Sequence, residues 1–452
     1  MIQMTDSFGL SGAAKAQLLS RLSARQPAPH VEALPEPRAP LGRADMASDI
    51  AMVQRAGEAL GIANPYFRTH EGIAGARSTI DGEEYDNFVS YNYLGFNGHP
   101  RVTAAAKDAI DRYGTSVSAS RIVSGERPIH QALEEALAAI YRTEDALTLV
   151  SGHATNVTVI GHLVGRGDLI LHDSLSHNSI VQGALLSGAQ RIAFPHNDMD
   201  ELERLLGNVR SGADRVLIIV EGHYSMDGDI PDLARIVAIA RRHRAHVMVD
   251  EAHSLGVLGA KGHGIFEHAN VDPGEIDVWM GTLSKTLSGC GGYIAGSRQL
   301  IEYLRYSAPG FVYSVGLPPP IAAAALASLE VMADEPARVA KLQANGGRFL
   351  AAAQAHGLDT GSSIGTAIVP IMTASSIVAA RAADALFQLG INVQPIIYPA
   401  VPEQGARLRF FISSLHEPEQ LDRVAAVVAE TIAELRDMPV DLAALASRLA
   451  AR

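Results

Sequence analysis

Cysteine is nearly absent: Cys290 is the single one in 452 residues. That excludes an intramolecular disulfide framework and most cysteine-based metal sites, and it suits a reducing cytoplasm. Positive charge is in short supply as well. Lys and Arg total 37 against 49 Asp and Glu, so the net charge is 37 − 49 = −12, and the isoelectric point lies near 5.8. A chain so acidic is poorly suited to generic nucleic-acid binding through a basic surface. Long apolar runs are missing too. Stretches such as Ile321 to Leu329 fall far short of the roughly 18–20 residues of a membrane-spanning helix. Nor does the start read as a secretory leader, because Asp6 stands where a positive n-region belongs and no apolar h-region follows. What is present favours folding: 47% of residues are hydrophobic and 19% charged. Such a chain buries a large core, and its length suggests about two or three domains. The expectation is a soluble cytoplasmic protein.

Residues 1–40 differ from the rest. Ser11 can cap a helix from about Gly12 to Arg25, with Leu18, Leu19 and Leu22 on one face and Lys15, Arg21 and Arg25 making it basic. Prolines 27, 29, 35, 37 and 40 then read as a stiff, extended linker; a solvated tail is the competing reading. Residues 41–90 form an N-terminal segment with a second helix near Ala44 to Leu60. Beyond it, Val216 to Gly222 and His246 to Asp250 read as buried strands, separated by a helix from Leu233 to Arg244. Val278 to Gly281 and Gly292 to Gly296 follow. Continuous apolar strands between helices predict an α/β large domain over residues 91–320, with a mostly parallel sheet covered on both faces. Ligands of such sheets sit at the carboxyl ends of the strands. Pro318 to Pro320 break the chain. Helices over Ile321 to Met332 and Arg338 to Ala355, with strands over Ala367 to Met372 and Arg409 to Ile412, then read as a smaller α+β domain, residues 321–452.

The chemistry concentrates in Asp250-Glu251-Ala252-His253-Ser254-Leu255-Gly256, followed by Lys285 in Gly281-Thr282-Leu283-Ser284-Lys285. Asp250 and Lys285 each lie at the carboxyl end of an expected strand, which brings an acid and an amine to one crevice. Singly, each has an ordinary reading, as a helix cap and a solvated lysine. Together they suit pyridoxal phosphate: the lysine forms a Schiff base and the aspartate pairs with the protonated ring nitrogen. A desolvated lysine of lowered pKa can also carry a Cα proton. Cys290 reads as packed and inert, since no basic partner is evident. No His-x-x-x-His pair with a third ligand stands out among the 17 histidines, so no metal is expected.

Asp-Glu-Ala-His-Ser-x-Gly followed by Gly-Thr-x-Ser-Lys resembles the α-oxoamine synthases, over roughly Asn64 to Val427. These are pyridoxal phosphate enzymes that condense a small amino acid with an acyl thioester and lose CO₂. The resemblance implies an aspartate-aminotransferase-like fold (fold type I), a homodimer, and an α-amino ketone as product. It implies Lys285 as the Schiff-base lysine, Asp250 as the partner of the ring nitrogen and His253 as the histidine near the phenolic oxygen. His177, in Asp173-Ser174-Leu175-Ser176-His177, matches the imidazole stacked on the ring, and Ser225 a residue bonded to the phenolic oxygen. The phosphate is expected where Ser151-Gly152-His153-Ala154-Thr155-Asn156 enters a helix, whose N-terminus favours an anion. His153 stands where relatives often carry an aromatic residue. Thr282 and Ser284 match hydroxyls on the phosphate, and Ser314 a ligand donated by the partner subunit. Arg409 matches the anchor of the substrate carboxylate, with Arg407 facing the other way as a structural residue. Asn92, in Ser90-Tyr91-Asn92-Tyr93-Leu94-Gly95-Phe96, matches the amino-terminal substrate motif.

That motif points to serine palmitoyltransferase-like or polyketide-associated members, hence serine or alanine, with glycine the remaining usual choice. An 8-amino-7-oxononanoate synthase-type enzyme is the alternative. Two further rivals are an ordinary aminotransferase, which usually has a tyrosine where His253 stands, and an inactive regulatory partner, which would lack Lys285. The acyl donor is a coenzyme A or acyl-carrier-protein thioester. The basic helix before Arg25 resembles linker helices that flank carrier domains and could steer an acidic carrier protein, which favours the carrier-bound donor.

Overall fold

Val216–Glu221 is apolar until its last residue, and such a strand is stable only with both faces covered. The computed structural model describes residues 57–437 together with Ala13, Gln17, Gln54 and Arg55. The basic helix from Gly12 to Arg25, the proline-rich linker and most of the helix expected over Ala44 to Leu60 lie outside the described residues. Near the start of the described chain, β1 (His70–Glu71), β2 (Arg77–Ile80) and β3 (Glu83–Asn87) form an antiparallel meander. A seven-stranded sheet follows, made of β4 (Asp145–Leu149), β5 (Leu169–Asp173), β6 (Gln190–Phe194), β7 (Val216–Glu221), β8 (His246–Asp250), β9 (Val278–Thr282) and β10 (Gly292–Gly296). Its spatial order is β4-β10-β9-β8-β7-β5-β6.

Strands from β9 across to β6 are parallel, while β10 runs antiparallel to both β9 and β4. The reason lies in the connection. Residues 283–291 between β9 and β10 are too few for the crossover of a dozen or more that a parallel neighbour needs. Side chains alternate between two apolar layers. Ile218, Val220, Val247 and Val249 pack on one face, and Leu217, Ile219 and Met248 on the other. This is the period-two geometry of strands buried on both sides.

The helix at the triple proline spans Pro319–Asp334, starting earlier than expected. Proline is tolerated in a first turn because its missing N–H would have no partner there. After it, β11 (Ile368–Met372), β13 (Gln394–Ile396) and β14 (Arg407–Phe411) make an antiparallel sheet in the order β11-β14-β13. The short β12 (Ile391–Asn392) pairs instead with β3, in parallel. Among the described residues, no helix is long and apolar enough to cross a membrane.

Candidate active site

Asp250 ends β8 beside Glu221, which ends β7, and the two are register partners. Both are buried. Asp250 accepts the Ala252 N–H at 2.9 Å and Asn156 Nδ2 at 2.8 Å. Asn156 lies just over one turn into the helix Gly152–Leu163, and its Nδ2 also donates to Ser179 Oγ at 2.9 Å. Ser179 Oγ is 2.7 Å from Nδ1 of His177. The His177 backbone N–H donates to Glu221 Oε1 at 2.6 Å, leaving the imidazole open to the cleft. Partial burial lowers the His177 pKa; Asp250 opposes this, while the charges of Lys285 and His153 add to it. Burial, reinforced by Asp250, pushes Glu221 up to about 8.

Lys285 follows β9 and is half-buried. Burial lowers its amine to about 8, against the pull of Asp250 and Glu221 and helped by Arg409. Its Nζ lies 5.8 Å from the centre of the Tyr91 ring. It lines a cavity of about 330 Å³ with Tyr91, Asn92 and Ser288. His253 is buried, with Nδ1 2.7 Å from Tyr93 Oη, and burial followed by the Lys285 charge holds it well below the usual imidazole range.

The helix entrance is built for close approach. Ser151 caps it by accepting the Ala154 N–H at 3.3 Å. A Cβ on Gly152 would fall 2.6 Å from Thr282 Oγ1, so glycine alone lets the helix abut the end of β9. Thr282 Oγ1 donates to the Gly291 carbonyl at 2.9 Å and sits 2.6 Å from Ser284 Oγ. His153 is exposed, with its ring edge-on to His177 at 6.3 Å between centroids.

Arg409, on β14, reaches the loop after β7. Its Nη1 donates to the Ser225 carbonyl at 3.1 Å, its guanidinium lies 4.6 Å from the Phe411 ring centre, and its buried Nε has no protein partner. Burial depresses its pKa, with Tyr91 and Tyr93 opposing. Arg407 does not face the other way. Residues two apart on a strand share a face, and Arg407 reaches the same loop, pairing with Asp227 Oδ1 at 2.6 Å and the Met226 carbonyl at 3.0 Å. The expectation of a structural role for it agrees with that pairing; the expected orientation was wrong.

Asn92 also departs from expectation. It borders the cavity, but its amide is taken by the main chain: Nδ2 donates to the Ala74 carbonyl at 3.0 Å and Oδ1 accepts the Asn97 N–H at 3.0 Å. It clamps a loop instead of offering a free group to substrate. Ser314 is not brought to Lys285; it lines a recess with Arg121, Thr148 and Val150. Cys290 is exposed instead of packed. Asn156, Ser179, Glu221 and Tyr93 had no assigned role from sequence. The available signal was a polar residue on a helix face turned to the sheet, since Asn156 is buried.

These residues fit pyridoxal phosphate. Bare backbone at a capped helix N-terminus suits the phosphate. A buried carboxylate at the end of β8 suits the ring nitrogen, and a lysine of lowered pKa suits the aldehyde carbon.

A model of the family described as aminotransferase class I and II matches residues 84–428. The 8-amino-7-oxononanoate synthase of Geobacter sulfurreducens is 43% identical over 372 residues, 82% of this chain and 94% of that protein. That of Thermoanaerobacter pseudethanolicus is 40% identical over 352 residues, 78% of this chain and 89% of its own length. The solved serine palmitoyltransferase of Sphingomonas wittichii superposes with a TM-score of 0.81 at 30% identity, covering 86% of this chain and 98% of that one. With fold type I, a pyridoxal phosphate site and these relatives, the chain belongs to the aminotransferase class I and II family and, within it, to the α-oxoamine synthases.

Proposed function

We propose that the protein condenses a small L-amino acid (serine, alanine or glycine) with an acyl thioester, releasing CO₂, free thiol and an α-amino ketone. The observation that carries this reading is Lys285, with its amine lowered to about 8, in one cleft with Asp250 and with an arginine whose Nε has no protein partner. Bound pyridoxal phosphate would supply the electron sink that makes the Cα–H bond acidic. Arg409 holds the amino-acid carboxylate, for which a planar fork is the fitting partner. Lys285 Nζ takes the Cα proton and later returns it. Asp250, braced by Asn156, would hold the proton of the cofactor's ring nitrogen by charge. His177 would hold the cofactor ring in place with its imidazole, and His253, buried, would with Ser225 hold the phenolic end. A bond forms from Cα to the thioester carbonyl carbon, the C–S bond breaks, and the carboxylate leaves as CO₂.

Gly152, His153, Thr282 and Ser284 form the phosphate end in this reading. Ser314 serves the partner subunit's phosphate, which makes the enzyme a homodimer. A cytoplasmic location is part of the proposal, supported by the single cysteine. The donor is a coenzyme A or carrier-protein thioester, and the segment before residue 41 favours the carrier. The test is a panel of amino acids with both donors, following CO₂ release. Release that needs an acyl thioester supports the proposal, whereas exchange with keto acids and no CO₂ would identify an aminotransferase. Deleting the chain through Pro40 should impair the carrier-bound donor alone; equal rates with both donors would remove the carrier.

A further inference from the structure

The hydrogen-bond chain from Asp250 to His177 can be followed proton by proton. An ionised carboxylate only accepts, so the Asn156 amide must turn its Nδ2 toward Asp250, at 2.8 Å. The second hydrogen of that nitrogen then points to Ser179 Oγ at 2.9 Å. Ser179 has one hydroxyl proton, and the acceptor left for it is His177 Nδ1 at 2.7 Å. The Ser179 backbone N–H adds a longer contact to the same nitrogen at 3.3 Å. Two donors on Nδ1 require a lone pair there, and a neutral imidazole then carries its proton on Nε2. The backbone of His177 is fixed independently by Glu221.

We infer that Asn156 and Ser179 are positioning residues that lock His177 as the Nε2–H tautomer and tie its orientation to that of Asp250. Both lie behind the site, buried, and neither needs to touch substrate. The consequence is directional. His177 offers the cleft a hydrogen-bond donor, suited to a carboxylate, and has no lone pair facing it with which to act as a base. A displacement of Asp250 is passed through two side chains to the imidazole. Asn156 meets these demands with one atom, since Nδ2 serves both neighbours while Oδ1 is left without a partner. Such a buried orphan costs free energy, which argues that the Nδ2 contacts fix the amide's orientation.

The hydrogen-bond chain stands without the proposed reaction; only the partner of Nε2–H rests on it. The deciding measurement is the ¹⁵N spectrum of histidine-labelled protein, with His177→Gln identifying the resonances. A pyridine-type Nδ1 and a pyrrole-type Nε2 are expected, with mixed tautomers in Ser179→Ala and recovery in Ser179→Thr. In protein loaded with pyridoxal phosphate, Ser179→Ala should weaken amino-acid binding about threefold to tenfold, as for one hydrogen bond, with cofactor affinity unchanged. Asn156→Ala should weaken both. A proton found on Nδ1 in the wild type, or unchanged tautomers in Ser179→Ala, would overturn the inference. Failure of the wild type to bind cofactor would instead count against the proposed function, and the spectrum would still decide the tautomer.

Discussion

The rim of the seven-stranded sheet and the strand β14 of the small sheet treat their charges differently. At the rim, Asp250, Asn156, Ser179 and His177 are linked to one another before any ligand arrives. On β14, Arg407 is held by Asp227 and two carbonyls, its Nε included, while Arg409, two residues on, keeps its Nε unpaired. A group that must hold one geometry throughout is tied down by neighbours. A group that must receive a different molecule each cycle keeps a donor open. In this reading the rim is pre-organised for a resident cofactor and β14 is left open for a transient substrate.

That contrast is easiest to break at its centre. Lys285→Ala should lower CO₂ release by about three orders of magnitude or more, since the proton carrier is removed. The fold, followed by circular dichroism, should not change. Retained condensation in the purified variant would end the assignment. Asp250→Asn should cost about a hundredfold in turnover. A neutral amide cannot hold the ring proton by charge, and it disturbs the contact that sets the orientation of the Asn156 amide. Turnover within a few fold of wild type would show that the rim is less interdependent than its hydrogen bonds imply.

The two arginines give the sharpest version. Arg409→Lys should raise the amino-acid KM about tenfold or more, because an ammonium cannot reproduce a bidentate fork. Arg407→Lys should leave KM alone and lower the melting temperature by loosening the Asp227 loop. Equal KM effects would erase the distinction between a tied and an open arginine.

The smallest effect concerns the loop that carries His177. His196 bridges Asp173 Oδ1 at 2.9 Å and Asp229 Oδ2 at 2.8 Å. Burial lowers its pKa, but the two carboxylates outweigh this and raise it to about 10. The folded value lies above the ordinary one of about 6.5. The stabilisation is therefore complete below about pH 6.5 and fades as pH rises toward about 10. The gap in melting temperature between wild type and His196→Gln should narrow over that interval; a gap that widens would show that the ion pairs do not govern it.

Much of the rim was legible in the sequence because continuous apolar strands ending in Glu221, Asp250 and Thr282 announce a buried sheet and the edge where its chemistry gathers. What escaped was whatever depends on side-chain direction. Asn156 reads as an ordinary polar residue in a helix, and its two partners are distant in sequence. Asn92 reads as a substrate contact until the Ala74 and Asn97 main chain is seen to occupy it. Arg407 was misplaced although the period of a strand already put it beside Arg409. The reversal of β10 was readable from the length of the loop before it, whereas the pairing of β12 with β3 had no local signal at all.

That last pairing bears on how the protein is made. Asp86 of β3 waits for Ile391, 391 − 86 = 305 positions later, and Arg68 reaches Asn392 across a similar interval. While the ribosome is adding the intervening residues, β3 has one edge without its native neighbour, and contacts of such long range are the slow ones to form. The seven strands from β4 to β10, by contrast, are all complete once Gly296 has emerged. Nascent chains stalled between those two points should resist protease over the large sheet and remain sensitive around residues 77–87, so the stretch leading to the substrate motif would acquire its shape only after the large sheet, although it is made before it.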